Sequence, residues 1–182
     1  MENLSQRAFE PVPLPSAHRA ELRVFREEDV TPDYVKGMND PEVRRFVSVG
    51  RGELSEDSIK GFAANNWNSP HSVLFGLFVD EAHCGNVRLH DYDGATAWMG
   101  IALFDRSIWG KGYGSAAIDA ASGFAFERLG CKTVQAGVDP GNQASVRAFM
   151  KAHFSIAGQN ADGLLLIRYA EPQSESRSNV SP

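Results

Sequence analysis

The chain has 182 residues, of which 42% are hydrophobic and 23% charged; this excludes a disordered or collagen-like polypeptide and fits one domain whose core needs no staples. A formal net charge of -5 argues against a general nucleic-acid binder, since neutralising phosphates takes a basic face, and mildly favours cationic acceptors. No stretch has the apolar length of a signal peptide or membrane span, and Cys84 and Cys131 show neither Cys-x-x-Cys pairing nor zinc-ligand spacing, so a cytoplasmic protein with two buried thiols, no disulfide framework and no metal is expected.

Residues 1–20 contain Pro11, Pro13 and Pro15, which are expected to bar regular structure and leave an extended N-terminal arm, laid on the surface or loose in solvent. The folded domain is expected over residues 21–170, followed by a flexible polar tail over 171–182. Residues 21–25 read as a strand. Thr31-Pro32-Asp33 supplies an N-cap, a proline at the first helical position and an early acid for a short helix to about Met38. Asn39-Asp40-Pro41 makes a turn. Ser55, Glu56 and Asp57 open a second helix to about Asn66, with Ile59 and Phe62 on one face.

From Val73 the period changes to that of strands, expected over 73–79, 84–90 and 95–104, with Asp80-Glu81 and Asp93-Gly94 as turns, so the three are antiparallel. Residues 115–129 place Ile118, Ala121, Ala125 and Leu129 on one helical stripe, and Gly130 stops it. Gly123 inside that helix is expected to mark a close approach to another element. A strand at 133–138, a turn at Pro140-Gly141-Asn142, a helix with Val146, Phe149, Met150 and His153 on its stripe, and a hairpin of 154–157 with 164–169 complete the domain.

The most informative segment is Trp109-Gly-Lys-Gly-Tyr-Gly114, lying between the 95–104 strand and the 115–129 helix. Glycines remove side chains that would hold an anion off the backbone, so successive N–H groups and a helix N-terminus can converge on a pyrophosphate. Gly110, Gly112 and Gly114 lack the acidic ribose partner of a dinucleotide fingerprint and the Lys-Ser/Thr ending of a P-loop. A plain strand-to-helix turn is the alternative.

With this element order, a glycine cradle after the fourth strand and Asn142-x-x-Ser145 opening the last helix, the chain resembles the GNAT acetyltransferase superfamily over residues 22–170. The glycine segment, the helix ending Ala125-Phe-Glu-Arg-Leu-Gly130, and Asn142-Gln-Ala-Ser-Val-Arg with Lys151-Ala-His-Phe154 are similar to the branch containing ribosomal-protein-alanine acetyltransferases. The resemblance implies an α+β fold: a mixed, mostly antiparallel sheet of about seven strands flanked by four helices, its fourth and fifth strands splayed. It implies acetyl-CoA in that splay, its pantetheine paired with backbone groups of Ile101, Ala102 and Leu103, its pyrophosphate met by the N–H groups of Lys111, Gly112, Tyr113, Gly114 and Ser115, and Trp109 and Gly110 also in the cofactor-binding segment. Asn142 is implied as a pantetheine contact; a simple helix N-cap is the other reading.

The implied activity is N-acetylation of a primary amine by direct attack on the thioester, in a monomer or homodimer without nucleic acid or membrane. The amine is a protein N-terminus, an amino sugar, possibly nucleotide-linked, or a polyamine. A backbone N–H near Ile101 would stabilise the oxyanion. The glutamate that often serves the branch as base is matched here by Trp98, leaving Asp105, His90, Asp91 and Asp93 as the nearest polar groups. The superfamily's tyrosine acid falls on Phe149, so Ser145 is the substitute, with an ordinary first-turn serine as its alternative. His153 stands where the family usually has glycine. Trp67, Tyr92 and Trp98 are candidate acceptor-binding aromatics or else core, and Arg44, Arg45 and Arg51 candidate phosphate or carboxylate ligands or else a solvated face. The rival from another class is a non-catalytic acyl-CoA-binding or regulatory module.

Overall fold

A computed structural model describes residues 3–6, 10–14, 17, 19–47, 52–161 and 163–171. Its strands are β1 (Val12–Pro13), β2 (Ala20–Val24), β3 (Val73–Val79), β4 (Ala82–His90), β5 (Thr96–Leu103), β6 (Thr133–Val138), β7 (Ser155–Asn160) and β8 (Gly163–Tyr169). The helices are α1 (Pro32–Met38), α2 (Pro41–Arg44), α3 (Glu56–Trp67), α4 (Tyr113–Glu127) and α5 (Gln143–Lys151). They form the expected mixed α+β architecture, with one eight-stranded sheet in the order β1-β2-β3-β4-β5-β6-β8-β7. All neighbours are antiparallel except β5 and β6.

The local sequence accounts for most of these elements. Thr31 Oγ1 accepts from Tyr34 N–H at 3.2 Å and Ser55 Oγ from Ser58 N–H at 3.1 Å, satisfying amides that no helical carbonyl can reach. Asp80 and Glu81 take φ values of +48° and +68°, the left-handed pair that closes a two-residue hairpin with the strand twist. The strand count exceeds the expectation by one because Val12–Pro13 pairs with β2. At a sheet edge the N–H that Pro13 lacks is not needed, and Leu4 and Leu14 are buried in the main core, so part of the proline-rich segment is tied down. The extra helix is α2, nucleated where a bare turn was expected: Asp40 Oδ1 accepts from Glu42 N–H at 2.8 Å and Pro41 fills the first position.

Helices cover both faces of the sheet. On one, Phe75, Leu77, Val87 and Leu89 pack with Ile118, Ala121, Phe124 and Ala125 of α4. On the other, Phe25, Leu74 and Phe104 pack with Tyr34, Met38, Ile59 and Ala63 of α1 and α3. Each large apolar side chain so buried contributes about 1.5–3 kcal/mol. Gly37 lets α1 sit against the sheet, since a Cβ there would lie 2.5 Å from the Phe104 ring. Gly123 does not do this: a Cβ on it would meet nothing within 4 Å, so the close approach expected there is absent.

Candidate active site

The site is made by two strands parting. β5 and β6 pair at Thr96↔Thr133, Ala97↔Val134 and Trp98↔Gln135 and no further, although β5 runs on to Leu103 and β6 to Val138. Ala95 O accepts from Lys132 and Thr133 N–H, whereas Phe104 N–H donates to Cys84 O on the β4 side. Since peptide groups alternate along a strand, those of Met99, Ile101 and Leu103 face the gap and those of Gly100 and Ala102 face β4. Of the three backbone contacts expected, Ala102 is therefore committed to the β4 ladder, and Leu103 O accepts from Trp109 Nε1 at 3.1 Å. Ile101 keeps its peptide group for a ligand.

At the end of the gap stands the glycine segment. Gly110 and Gly112 have φ of +72° and +90°, a region open to glycine without penalty. Gly112 is the N-cap of α4 and its carbonyl accepts from Ala116 N–H at 3.1 Å and Ser115 Oγ at 2.9 Å. The N–H groups of Gly112, Tyr113, Gly114 and Ser115 donate to no acceptor among the described residues, leaving a convergent set of donors with the positive end of a fifteen-residue helix behind them. Gly114 lets the helix start close to β5, with its missing Cβ 3.3 Å from Leu103 Cδ1. Lys151 Nζ lies 3.8 Å from where a Cβ on Gly112 would sit. Lys151 adds a cation to the cradle from α5, a contact the sequence pattern did not assign.

β6 is parallel to β5, so the start of α5 lies at this same end of the sheet. Asn142 Oδ1 accepts from Ser145 N–H at 3.1 Å as the N-cap of α5, which realises its capping role and leaves its Nδ2 donors. Ser145 Oγ makes no hydrogen bond to a described residue, and Phe149 is buried edge-on to Phe154, with ring centroids 5.0 Å apart. His153 replaces glycine at a φ of +67°, with Phe154 N–H reaching Phe149 O and His153 N–H reaching Met150 O, a helix stop that glycine would enter without strain.

Asp105 does not suit a base. Its Oδ1 accepts from Ser107 N–H at 2.8 Å as the cap of the 3-10 turn Arg106–Ile108, and Cys84 Sγ lies 3.5 Å from Oδ2. Burial opposes its ionisation, but hydrogen bonds from Ser107 and Cys84 and the charge of Lys111 outweigh that and hold its pKa below the usual carboxylate value. Asp93 is likewise a turn residue, bonded to Ala95 and Thr96 N–H at 2.8 and 2.7 Å. His90 differs: it pairs across β4–β5 with Trp98, and its Nδ1 lies 2.9 Å from Asp91 Oδ2.

The aromatic candidates separate. Trp67 stacks under Arg26 at 4.3 Å beside a small hollow lined by Glu27, Glu28, Ala64 and Asn68; the contact belongs to the turn after β2. Tyr92 donates from its hydroxyl to Leu129 O at 2.7 Å and packs on the α4 core, so it ties the β4–β5 connection to the end of α4. Trp98 alone lies on the sheet face that α3 covers, where His90 and Arg88 of β4 oppose Trp98 and Gly100 of β5. Arg44 donates to Gly52 O at 2.8 Å and Arg45 lies 5.1 Å from the Phe46 ring centre, both outside this cluster, and Arg51 lies outside the described residues. Among the described residues no helix is long and apolar enough to cross a membrane.

The family model for the acetyltransferase (GNAT) domain matches residues 19–155. No curated protein matches the sequence. Among solved structures, the chain is similar to RimL, a ribosomal L7/L12 alpha-N-protein acetyltransferase in complex with coenzyme A, with a TM-score of 0.77, 19% identity and coverage of 88% of this chain and 98% of that one. It is similar to a GNAT-family acetyltransferase from Bacillus anthracis, with a TM-score of 0.73, 18% identity and coverage of 88% and 98%. It is similar also to the aminoglycoside acetyltransferase AAC(6')-Ib in complex with coenzyme A and kanamycin, with a TM-score of 0.70, 16% identity and coverage of 82% and 94%. At these identities the likeness is one of fold.

Proposed function

The chain belongs to the GNAT acetyltransferase family, and from that premise we propose that it is an N-acetyltransferase moving the acetyl group of acetyl-CoA directly to a primary amine. The observation that carries this is the loss of β5–β6 pairing beyond Trp98 and Gln135 with the Ile101 peptide group turned into the gap. The residues present suit the donor: Ile101 offers a strand-like edge to the pantetheine amides, and the amides of 112–115 with Lys151 offer donors and charge to a pyrophosphate. Acetyl-CoA supplies an activated acyl group with a thiolate leaving group.

The chain's own part is positioning and charge stabilisation. Ile101 N–H donates to the oxygen on which charge develops. His90, held by Asp91 on the face shared with Trp98, takes the proton that the attacking amine loses. Ser145 Oγ gives a proton to the departing sulfur as the C–S bond breaks and the C–N bond forms, and solvent restores that proton as His90 releases its own. No covalent link to the protein is needed. The domain takes in residues 21–170, with the N-terminal segment packed against it through Leu4 and Leu14.

Purified protein with acetyl-CoA and a panel of peptides, polyamines and amino sugars, followed by release of free thiol, tests the reading. Acceptor-dependent release is expected; tight acetyl-CoA binding with no turnover across the panel would favour a non-catalytic acyl-CoA-binding module. Ser145→Ala should lower kcat by about 10²-fold, the low end for a positioned acid. An unchanged kcat with chemistry rate-limiting removes Ser145 from the mechanism.

A further inference from the structure

Arg88 is a half-buried cation that forms no ion pair with a carboxylate among the described residues. Its Nε–H donates to Asn66 Oδ1 at 2.7 Å, and Asn66 is itself buried and fixed by its Nδ2 donating to Phe62 O at 2.8 Å. The guanidinium carbon stands 5.2 Å from the centre of the Phe62 ring. These contacts lock the side chain and use its Nε, while no carboxylate among the described residues pairs with it. Five other arginines pair with carboxylates among the described residues: Arg19 with Asp80, Arg23 with Glu21 and Glu81, Arg26 with Glu28, Arg106 with Asp40 and Arg168 with Asp119. The nearby Asp91 carboxylate is turned to His90. Burial pulls the Arg88 pKa below its ordinary value, against the opposing charge of Asp91. A guanidinium held rigid and partly dehydrated is costly unless an anion completes it.

Its place says which anion. Arg88 is the cross-strand partner of Gly100, and a Cβ on Gly100 would meet nothing within 4 Å, so the space over β5 beside Arg88 is open. Gly100 directly precedes Ile101, whose peptide group faces the gap. Paired Cα atoms across antiparallel strands are about 4.5–5.5 Å apart, so one small molecule or chain terminus spans both points. We propose that Arg88 determines acceptor specificity, binding through its Nη groups a carboxylate or phosphate carried by the same molecule that presents the amine. The inference rests on the acetyltransferase reading and narrows it to anionic amines, a class that the chain's net charge of -5 does not suggest.

Matched acceptor pairs test it: butylamine against 4-aminobutyrate and a Gly-Gly-amide against Gly-Asp-amide for carboxylates, and glucosamine against glucosamine 6-phosphate for phosphate. In at least one pair the anionic member should have a kcat/KM tenfold or more above its neutral partner. Arg88→Met should abolish that preference while leaving the neutral member's kcat/KM within about twofold, and Arg88→Lys should restore part of it. A structural role alone would lower both members together and would show as a reduced melting temperature. Calorimetric titration of the CoA-loaded protein with the same pairs gives the preference without turnover. Equal or better use of the neutral member in every pair, or a preference that survives Arg88→Met, overturns the inference while thiol release with any amine leaves the acetyltransferase reading standing. Failure of the protein to bind acetyl-CoA strikes that reading instead.

Discussion

Replacing Gly112 by alanine separates the cradle from its alternative as a mere turn. The residue has φ +90° and ψ -6° as the N-cap of α4. The added Cβ has room, because its nearest contact is Lys151 Nζ at 3.8 Å; the cost lies in the left-handed backbone, roughly 1–2 kcal/mol for an L-residue. For a chain of this length 1 kcal/mol moves Tm by roughly 2–4 °C, so Gly112→Ala should melt about 2–8 °C lower. If the backbone relaxes instead, it swings the Gly112 carbonyl away from Ala116 N–H and Ser115 Oγ and the adjacent free amides out of convergence. Losing one charge-assisted hydrogen bond is worth about 1.5–3 kcal/mol, so coenzyme A affinity should fall at least about tenfold. Gly123→Ala in the same helix is the control with the opposite sign: a Cβ there meets nothing and φ is not positive, so the gain is up to about 1 kcal/mol, or roughly 2–4 °C, with coenzyme A binding unchanged. Calorimetric melting and titration with coenzyme A read both quantities. A Gly112→Ala protein that keeps both the Tm and the coenzyme A affinity of the parent refutes the cradle.

Acid should unfold this protein partly through His83. Burial lowers its pKa from 6.5 to about 4, and its ring stacks among Phe25, Tyr34, Phe78 and Phe104 at centroid distances of 4.6–5.2 Å. Between those values the unfolded chain binds the proton and the folded chain does not, so the contribution is full above 6.5 and lost as pH falls toward 4, with a ceiling of about 3 kcal/mol. Urea midpoints of the parent should therefore drop more steeply over that window than those of His83→Leu; parallel pH dependences would dismiss the assignment. Cys84 and Cys131 are buried and their pKa values are raised by burial to about 11, so neither should be alkylated at neutral pH until the chain is unfolded. Rapid modification of the native protein, read by mass spectrometry, would contradict that burial.

Much of this molecule is local and was legible in the chain. Strands 73–79 and 133–138 fall where the apolar periodicity put them, and Thr31, Ser55 and Asn142 cap the helices they announced, because a cap or a strand period is decided by residues a few positions apart. The positive φ of Gly110 and Gly112 was likewise written in the glycine spacing. Short segments carry less local signal: Val12–Pro13 becomes a strand only because β2 lies beside it. The tertiary structure decided who meets whom. A period of two says that Arg88 and His90 share a face, but not that α3 lies over that face or that Gly100 and Trp98 oppose them. The sequence alone does not choose between acceptor pocket and core for Trp67 and Tyr92; packing sets one against Arg26 and the other against Leu129. Lys151 reaches Gly112 only once α5 docks beside α4. The gap between β5 and β6 was implied only by the family resemblance and by no periodicity, since it arises where two strands stop pairing: composition and periodicity determined the elements and the glycine loop, and long-range packing determined which side chains surround the gap.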